Sequence, residues 1–150
     1  MTIYREKLWP APWLFISTAL VIPASLLVFL PINVLVGIGS AIVLYLGCLA
    51  GLLASATKIE VTTSELLAGK ARLPIDIIGS VDGFREAEAT LERGQRLDAR
   101  SFLVIRGWVD PVVRIELVDP NDPVPYWLVS TRNPEAVSKA IDQARTISTT

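Results

Sequence analysis

The chain has 150 residues, which allows one ordinary globular domain, or a smaller one beside a membrane anchor. Its 14 basic and 15 acidic side chains nearly cancel, which argues against nucleic acid, a partner that calls for a concentrated basic face. A mean hydropathy of +0.48 excludes a typical soluble domain and makes the distribution of apolar residues the informative quantity.

Arg5, Glu6 and Lys7 carry the first charges, and no other appears from Leu8 to Thr57. An uncharged run of that length suits two membrane spans of about 20 residues each. Residues 1–12 are therefore expected to form a juxtamembrane segment, with Tyr4, Trp9 and Trp13 at headgroup level. The first span is expected over 13–30, where Pro23 predicts a kink. Pro31-Ile32-Asn33 forms the turn, and the second span is expected over 34–56. A cleaved signal peptide over residues 1–25 is the competing reading, but the apolar sequence continues without a clear small-residue cleavage site. Basic residues precede the first span (Arg5, Lys7) and follow the second (Lys58, Lys70, Arg72), so both termini are expected at the cytoplasmic face of a cytoplasmic (inner) membrane, crossed more than once. Cys48 lies inside the second span, and no disulfide is available to staple the rest.

Gly47, Gly51 and Ser55 repeat at four-residue spacing in the second span. Such a stripe lets helix backbones approach closely. The favoured expectation is that the glycines pack against the first span of the same chain; a homodimer face is the alternative.

Residues 57–150 read as a cytoplasmic domain with twelve basic and fourteen acidic side chains. KIEV and ELLAG form a hairpin about Thr62-Thr63-Ser64-Glu65, and KARLPIDIIGSVDGF continues in short apolar steps. REAEATLERG predicts a short helix or ordered loop over 85–94. FLVIRGWV (102–109) and VVRIELVD (112–119) read as two strands joined through Asp110-Pro111, with PYWLVST as a last strand after the DPNDP turn. Along that strand Tyr126, Leu128 and Ser130 face one way, and Trp127, Val129 and Thr131 the other. Asn133-Pro134-Glu135 starts a C-terminal amphipathic helix with Val137, Ala140, Ile141 and Ala144 as its apolar stripe. The expected fold is thus a transmembrane hairpin followed by a small, mainly-β domain of the pleckstrin-homology-like β-roll type, closed by that helix.

YREKLW, RLDARSFLVIRGWV and VRIELVDPNDPVPYWLVSTRNPEAVSKAI, with the two-span layout, resemble an actinobacterial membrane-protein family catalogued as domain of unknown function 3093. The resemblance covers nearly the whole chain. It implies a layout; the family carries no established activity, so no catalytic residue follows from it.

With no histidine and a single intramembrane cysteine, the chain lacks the ligands and bases of transition-metal sites and Cys/His catalysis. DPNDP lacks the central glycine and twelfth-position glutamate of a calcium loop. No phosphate-cradling glycine motif occurs, and no cofactor is expected. The residues left as interaction candidates are Arg132, Trp127, Trp108, Arg106 and Arg100; most aromatic residues on such strands are packing. The leading expectation is a membrane-tethered interaction or accessory module without catalysis, contacting the lipid bilayer and an unidentified membrane protein. Its surfaces would be the groove beside the C-terminal helix and the exposed face of the spans. The alternative is an interfacial lipid-binding or lipid-modifying protein in which Asp98, Arg100, Arg106, Asp110 and Arg132 converge. The first hairpin turn, where lipid-binding pleckstrin domains usually place basic residues, has none.

Overall fold

A computed structural model describes residues 1–148. The chain divides into two compact units, Trp9–Ala56 and the remainder, Met1–Leu8 with Thr57 onward.

The first of these is a helical hairpin. Helix α1 (Pro12–Ala19) and helix α2 (Val21–Phe29) are separated at Leu20. Pro23 explains the break, because it has no N–H to offer the carbonyl one turn earlier and its ring crowds that carbonyl. Helix α3 (Val34–Ala54) starts at Asn33, whose Oδ1 accepts from the N–H groups of Leu35 (2.8 Å) and Val36 (3.4 Å). The Pro12–Phe29 stretch and α3 are long and apolar enough to cross a bilayer, with mean hydropathies of 2.0 and 2.2. Ser25, Gly37 and Ala41 are buried between the arms, and a Cβ on Gly37 would lie 3.5 Å from the Leu30 nitrogen. A Cβ on Gly47 or Gly51 would meet nothing within 4 Å. The expected packing of those two glycines on the first span is therefore corrected. The short turn enforces close approach at its own end, where Gly37 and Ala41 lie, and not further along α3. The Ser55 hydroxyl donates to the Leu52 carbonyl of its own helix (2.6 Å).

The second unit begins before the hairpin. Residues 2–8, expected only as juxtamembrane, form strand β1 (Thr2–Leu8) and pair antiparallel with β2 (Thr57–Thr62), from Thr2↔Thr62 to Leu8↔Thr57. Strands β3 (Glu65–Ala68) and β4 (Ala71–Pro74) complete a sheet of order β1-β2-β3-β4. Between them Gly69 takes φ +67°, the left-handed conformation that a tight reversal needs and glycine adopts without strain. After a 3-10 turn (Ile75–Ile77) come β5 (Ile78–Phe84), α4 (Glu86–Arg93), β6 (Phe102–Val104), β7 (Val112–Leu117), β8 (Tyr126–Ser130) and α5 (Pro134–Ser148). The second sheet has the order β5-β7-β8-β6. Here the expected 102–109 strand is shortened to three residues, and β6 runs parallel to β8 instead of joining β7. The Val109 N–H turns back onto the Arg106 carbonyl (2.9 Å), so the Ile105–Asp110 segment is a loop that carries the chain from β6 past β8 to β7.

Both faces of β8 are covered. Trp127 and Val129 join Ile59, Leu66, Ile115, Val137 and Ile141 in the main core, while Tyr126 and Leu128 pack with Ala89 and Val112 beneath α4. The alternation predicted for this strand holds, but neither face is solvated. Helix α5 is capped by Asn133 Oδ1, which accepts from the Ala136 N–H (3.2 Å), and its four predicted stripe residues are all buried. Its first residue presses on β5: a Cβ on Gly83 would lie 2.6 Å from the Pro134 Cβ.

Because the proline ring cannot yield, Gly83→Ala is expected to destabilise the β-unit by about 1–3 kcal/mol, and Ile141→Ala by about 2–5 kcal/mol. Gly47→Ala meets no atoms and should leave stability unchanged or slightly raised. Thermal unfolding of the full chain in mild detergent checks all three.

Candidate functional site

The antiparallel β1–β2 ladder gives the β-unit two chemically different ends. At one, Leu8 is paired with Thr57 and Lys7 with Lys58, and both connections to the hairpin leave from there. The Gly69 N–H donates to the Lys58 carbonyl (2.8 Å), which brings the β3–β4 turn and Lys70 to the same end. Arg132 Nη1 donates to the Lys7 carbonyl (3.4 Å), and the Arg106 N–H donates to Ser130 Oγ (2.9 Å), so the ends of β8 and β6 gather there too. A cleft of about 370 Å³ opens between this turn and edge strand β6, lined by Lys70, Phe102, Leu103 and Arg106 among others. Phe102 and Leu103 are partly exposed, at 37% and 44%. Five cations thus share one end with the carboxylates of Glu6 and Glu60.

Those two carboxylates tie the N-terminal strand in place. Glu6 accepts from Thr131 Oγ1 (2.5 Å), from the Arg132 N–H (3.0 Å) and from the Tyr4 hydroxyl (3.2 Å). Burial, with Glu6 alongside, pushes the Tyr4 phenol above its usual pKa. Glu60 is 7% exposed; it pairs with Lys58, accepts from Thr2 Oγ1 (2.6 Å) and lies 3.4 Å from Arg5. The Lys58 ammonium, then the Thr2 hydroxyl, lower its pKa from 4.5 to about 2.

The opposite end holds the 62–65 turn. Ser148 Oγ donates to the Thr63 carbonyl (2.9 Å), and the Ile75 N–H donates to the Ser64 carbonyl (3.0 Å). A cleft of about 630 Å³ lies beside α5, lined by Ser64, Ile75, Asp76, Ile78, Arg145 and Ser148. Arg145 reaches across the helix–strand seam and donates to the carbonyls of Ile78 (2.7 Å) and Gly79.

The five residues proposed to converge have separate local partners. Arg100 holds Asp98 in a two-point pair (3.2 and 3.0 Å), which keeps the Asp98 carboxyl below its usual pKa. Asp110 accepts from the Glu86 N–H (2.7 Å) and pairs with Arg93 (2.9 Å); these two contacts, in that order, lower its pKa. It thereby holds Glu86, which starts α4 at a φ of +51°, a strained value for a residue with a side chain. Arg132 turns to β1. Only Arg106 of the five lines the cleft beside β6. Trp127 is core, 7% exposed, with its ring centroid 4.5 Å from that of Phe102. Trp108 is partly buried against the same core, its indole N–H without a partner among the described residues.

Glu92 was not singled out by pattern, because it sits in a run of helix-forming charges. It is 2% exposed on α4, 3.3 Å from Arg96 and 3.4 Å from Arg114. Arg114 also lies 4.1 Å over the Tyr126 ring, and the Tyr126 hydroxyl accepts from the Asp98 N–H (2.8 Å). This buried group is structural: it pins α4 and the following loop to the sheet.

The model of one protein family, described as protein of unknown function (DUF3093), matches residues 3–141. The chain belongs to that family. The match starts inside β1 and ends in α5, so it takes in both units. No curated protein and no solved structure matches.

Asp110→Ala should cost about 1 kcal/mol, the usual worth of a helix-start acceptor, and Glu86→Gly in that background should recover part of it by removing the positive-φ strain. Urea unfolding of the two variants measures the recovery. Since the folded-state pKa of Glu60 lies below its ordinary value, its contribution is complete above pH 4.5 and is lost as pH falls toward 2. The stability difference between the native chain and Glu60→Gln should therefore shrink across that window, as followed by thermal unfolding.

Proposed function

We propose that this chain is a bilayer-anchored interaction module without catalytic activity, its β-unit held at the cytoplasmic face by two spans and offering the cleft beside α5 to a protein partner. The observation that carries this reading is the splicing of the hairpin between two paired strands. Because β1 precedes the hairpin and β2 follows it, the ladder requires both flanks of the hairpin to lie on one side of a membrane. An even number of spans satisfies that requirement. The basic residues flanking the hairpin then favour the cytoplasmic side.

Two sheets closed by a C-terminal helix support a pleckstrin-homology-like β-roll, with two departures: the first strand is supplied from before the hairpin, and β6 joins β8 in parallel. The reading without catalysis rests on the separation of Asp98, Arg100, Asp110 and Arg132 into local pairs and clamps; none of the four lines either cleft described above. The cleft beside α5 lies at the end of the ladder away from the two connections, where a protein has access, and joins apolar Ile75 and Ile78 to polar Ser64, Asp76 and Ser148. That mixture suits a protein surface better than a lipid tail.

A photo-crosslinking residue at Asp76 in the full-length chain, expressed in its own membrane, should give a discrete adduct with one protein, and the same residue at Asp122 should not. No adduct at Asp76 would remove the partner reading. Resistance of the chain to alkaline carbonate extraction checks the anchor separately.

A further inference from the structure

We propose that the end of the β-unit that carries the hairpin is a docking face for anionic lipid headgroups, with Phe102 and Leu103 of edge strand β6 entering the interface. The proposal rests on the anchored reading above and adds the surface and the chemistry it meets.

Connectivity comes first. Three residues separate Leu8 from α1, and two separate α3 from Thr57. At 3.3–3.6 Å per residue, these links cannot carry the ladder end more than about 14 Å and about 11 Å from the helix ends. The headgroup layer on each side of the hydrocarbon is several ångströms thick. The ladder end itself is thus tethered within about 14 Å of the helix ends by the covalent chain.

What lies there is cationic and apolar. Lys7 and Lys58 stand directly opposite one another in the ladder. Glu60 pairs with Lys58. Lys70, Arg106 and Arg132 are brought in from three other segments. A chain of net charge −1 has therefore concentrated positive charge at the end from which the hairpin departs. Phe102 and Leu103 are exposed beside Lys70 and Arg106, on a strand that is the edge of its sheet among the described residues. Aromatic and aliphatic side chains flanked by Lys and Arg are the composition that settles at an anionic interface. The 62–65 turn, which has no basic residue, lies at the other end of the ladder, so its composition has no bearing on this face.

The test uses the full-length chain in nanodiscs of phosphatidylcholine alone or mixed with phosphatidylglycerol. In a Cys48→Ser background, a spin label is placed at Leu103→Cys, at Val118→Cys (61% exposed, after β7) or at Ile42→Cys (54% exposed, on α3). Collisions with oxygen and with a soluble nickel chelate report depth. In the anionic discs the label at 103 should favour oxygen and that at 118 should favour nickel. Raising salt from about 0.1 M to about 1 M, which shortens the screening length from about 10 Å to about 3 Å, should return the label at 103 to water. Lys70→Gln and Arg106→Gln should each lower the docked-to-undocked ratio about fivefold, with unchanged thermal unfolding showing that the fold is intact. A label at 103 as aqueous as that at 118 in both lipids overturns the proposal. Shielding at 103 that is equal in neutral and anionic discs and indifferent to salt also overturns it, in favour of a protein contact at the β6 edge. If the label at 42 is itself aqueous, it is the anchored reading that fails.

Discussion

The pairing of Leu8 with Thr57 is the constraint on which the rest of the molecule depends. It closes a ladder across an inserted segment, Trp9–Ala56, that is nearly as long as half the β-unit. For a flexible loop that closure would carry a substantial entropic cost. Here the insertion is itself a hairpin, so its two ends are already neighbours when the strands meet. The first sheet cannot be completed from residues 57 onward, because its edge strand β1 precedes the hairpin.

Charged side chains do much of the fastening. Glu6 gathers Tyr4, Thr131 and the Arg132 backbone, and so ties the first strand to the last strand and the start of α5. Glu60 ties β1 to β2, and Glu92 joins α4 to the second sheet through Arg114. Each carboxylate has several donors, which is the condition under which removing a charge from water is tolerated. Arg145, Arg132 and Arg93 likewise spend guanidinium N–H groups on backbone carbonyls. Of the arginines read from the sequence as interaction candidates, Arg132 stitches the end of β8 to β1, while Arg100 pairs with its neighbour Asp98.

Local signals were legible where a single segment carries its own pattern. The Asn133 cap, the α5 stripe and the turn at Asn33 are each contained within a few residues, and each is found as expected. The signals that failed are those whose meaning depends on a distant partner. TIYREKL is too charged to read as a strand alone; its charges are matched by Glu60, Thr131 and the Arg132 backbone. Ile105–Val109 is apolar enough for a strand, yet Gly107 and Pro111 sit where the chain must leave the sheet. Gly47 and Gly51 have the spacing of a packing stripe, and the turn brings a different pair, Gly37 and Ala41, into contact.

The sequence by itself determined that two apolar helices precede a β-rich unit ending in an amphipathic helix, because hydropathy and period are properties of the chain read locally. Only the tertiary structure decided that residues 2–8 belong to that unit, that β6 runs parallel to β8, and that five basic residues from separate segments meet where the hairpin departs. Those facts follow from strand register and sheet order, which are set by contacts between residues far apart in the chain.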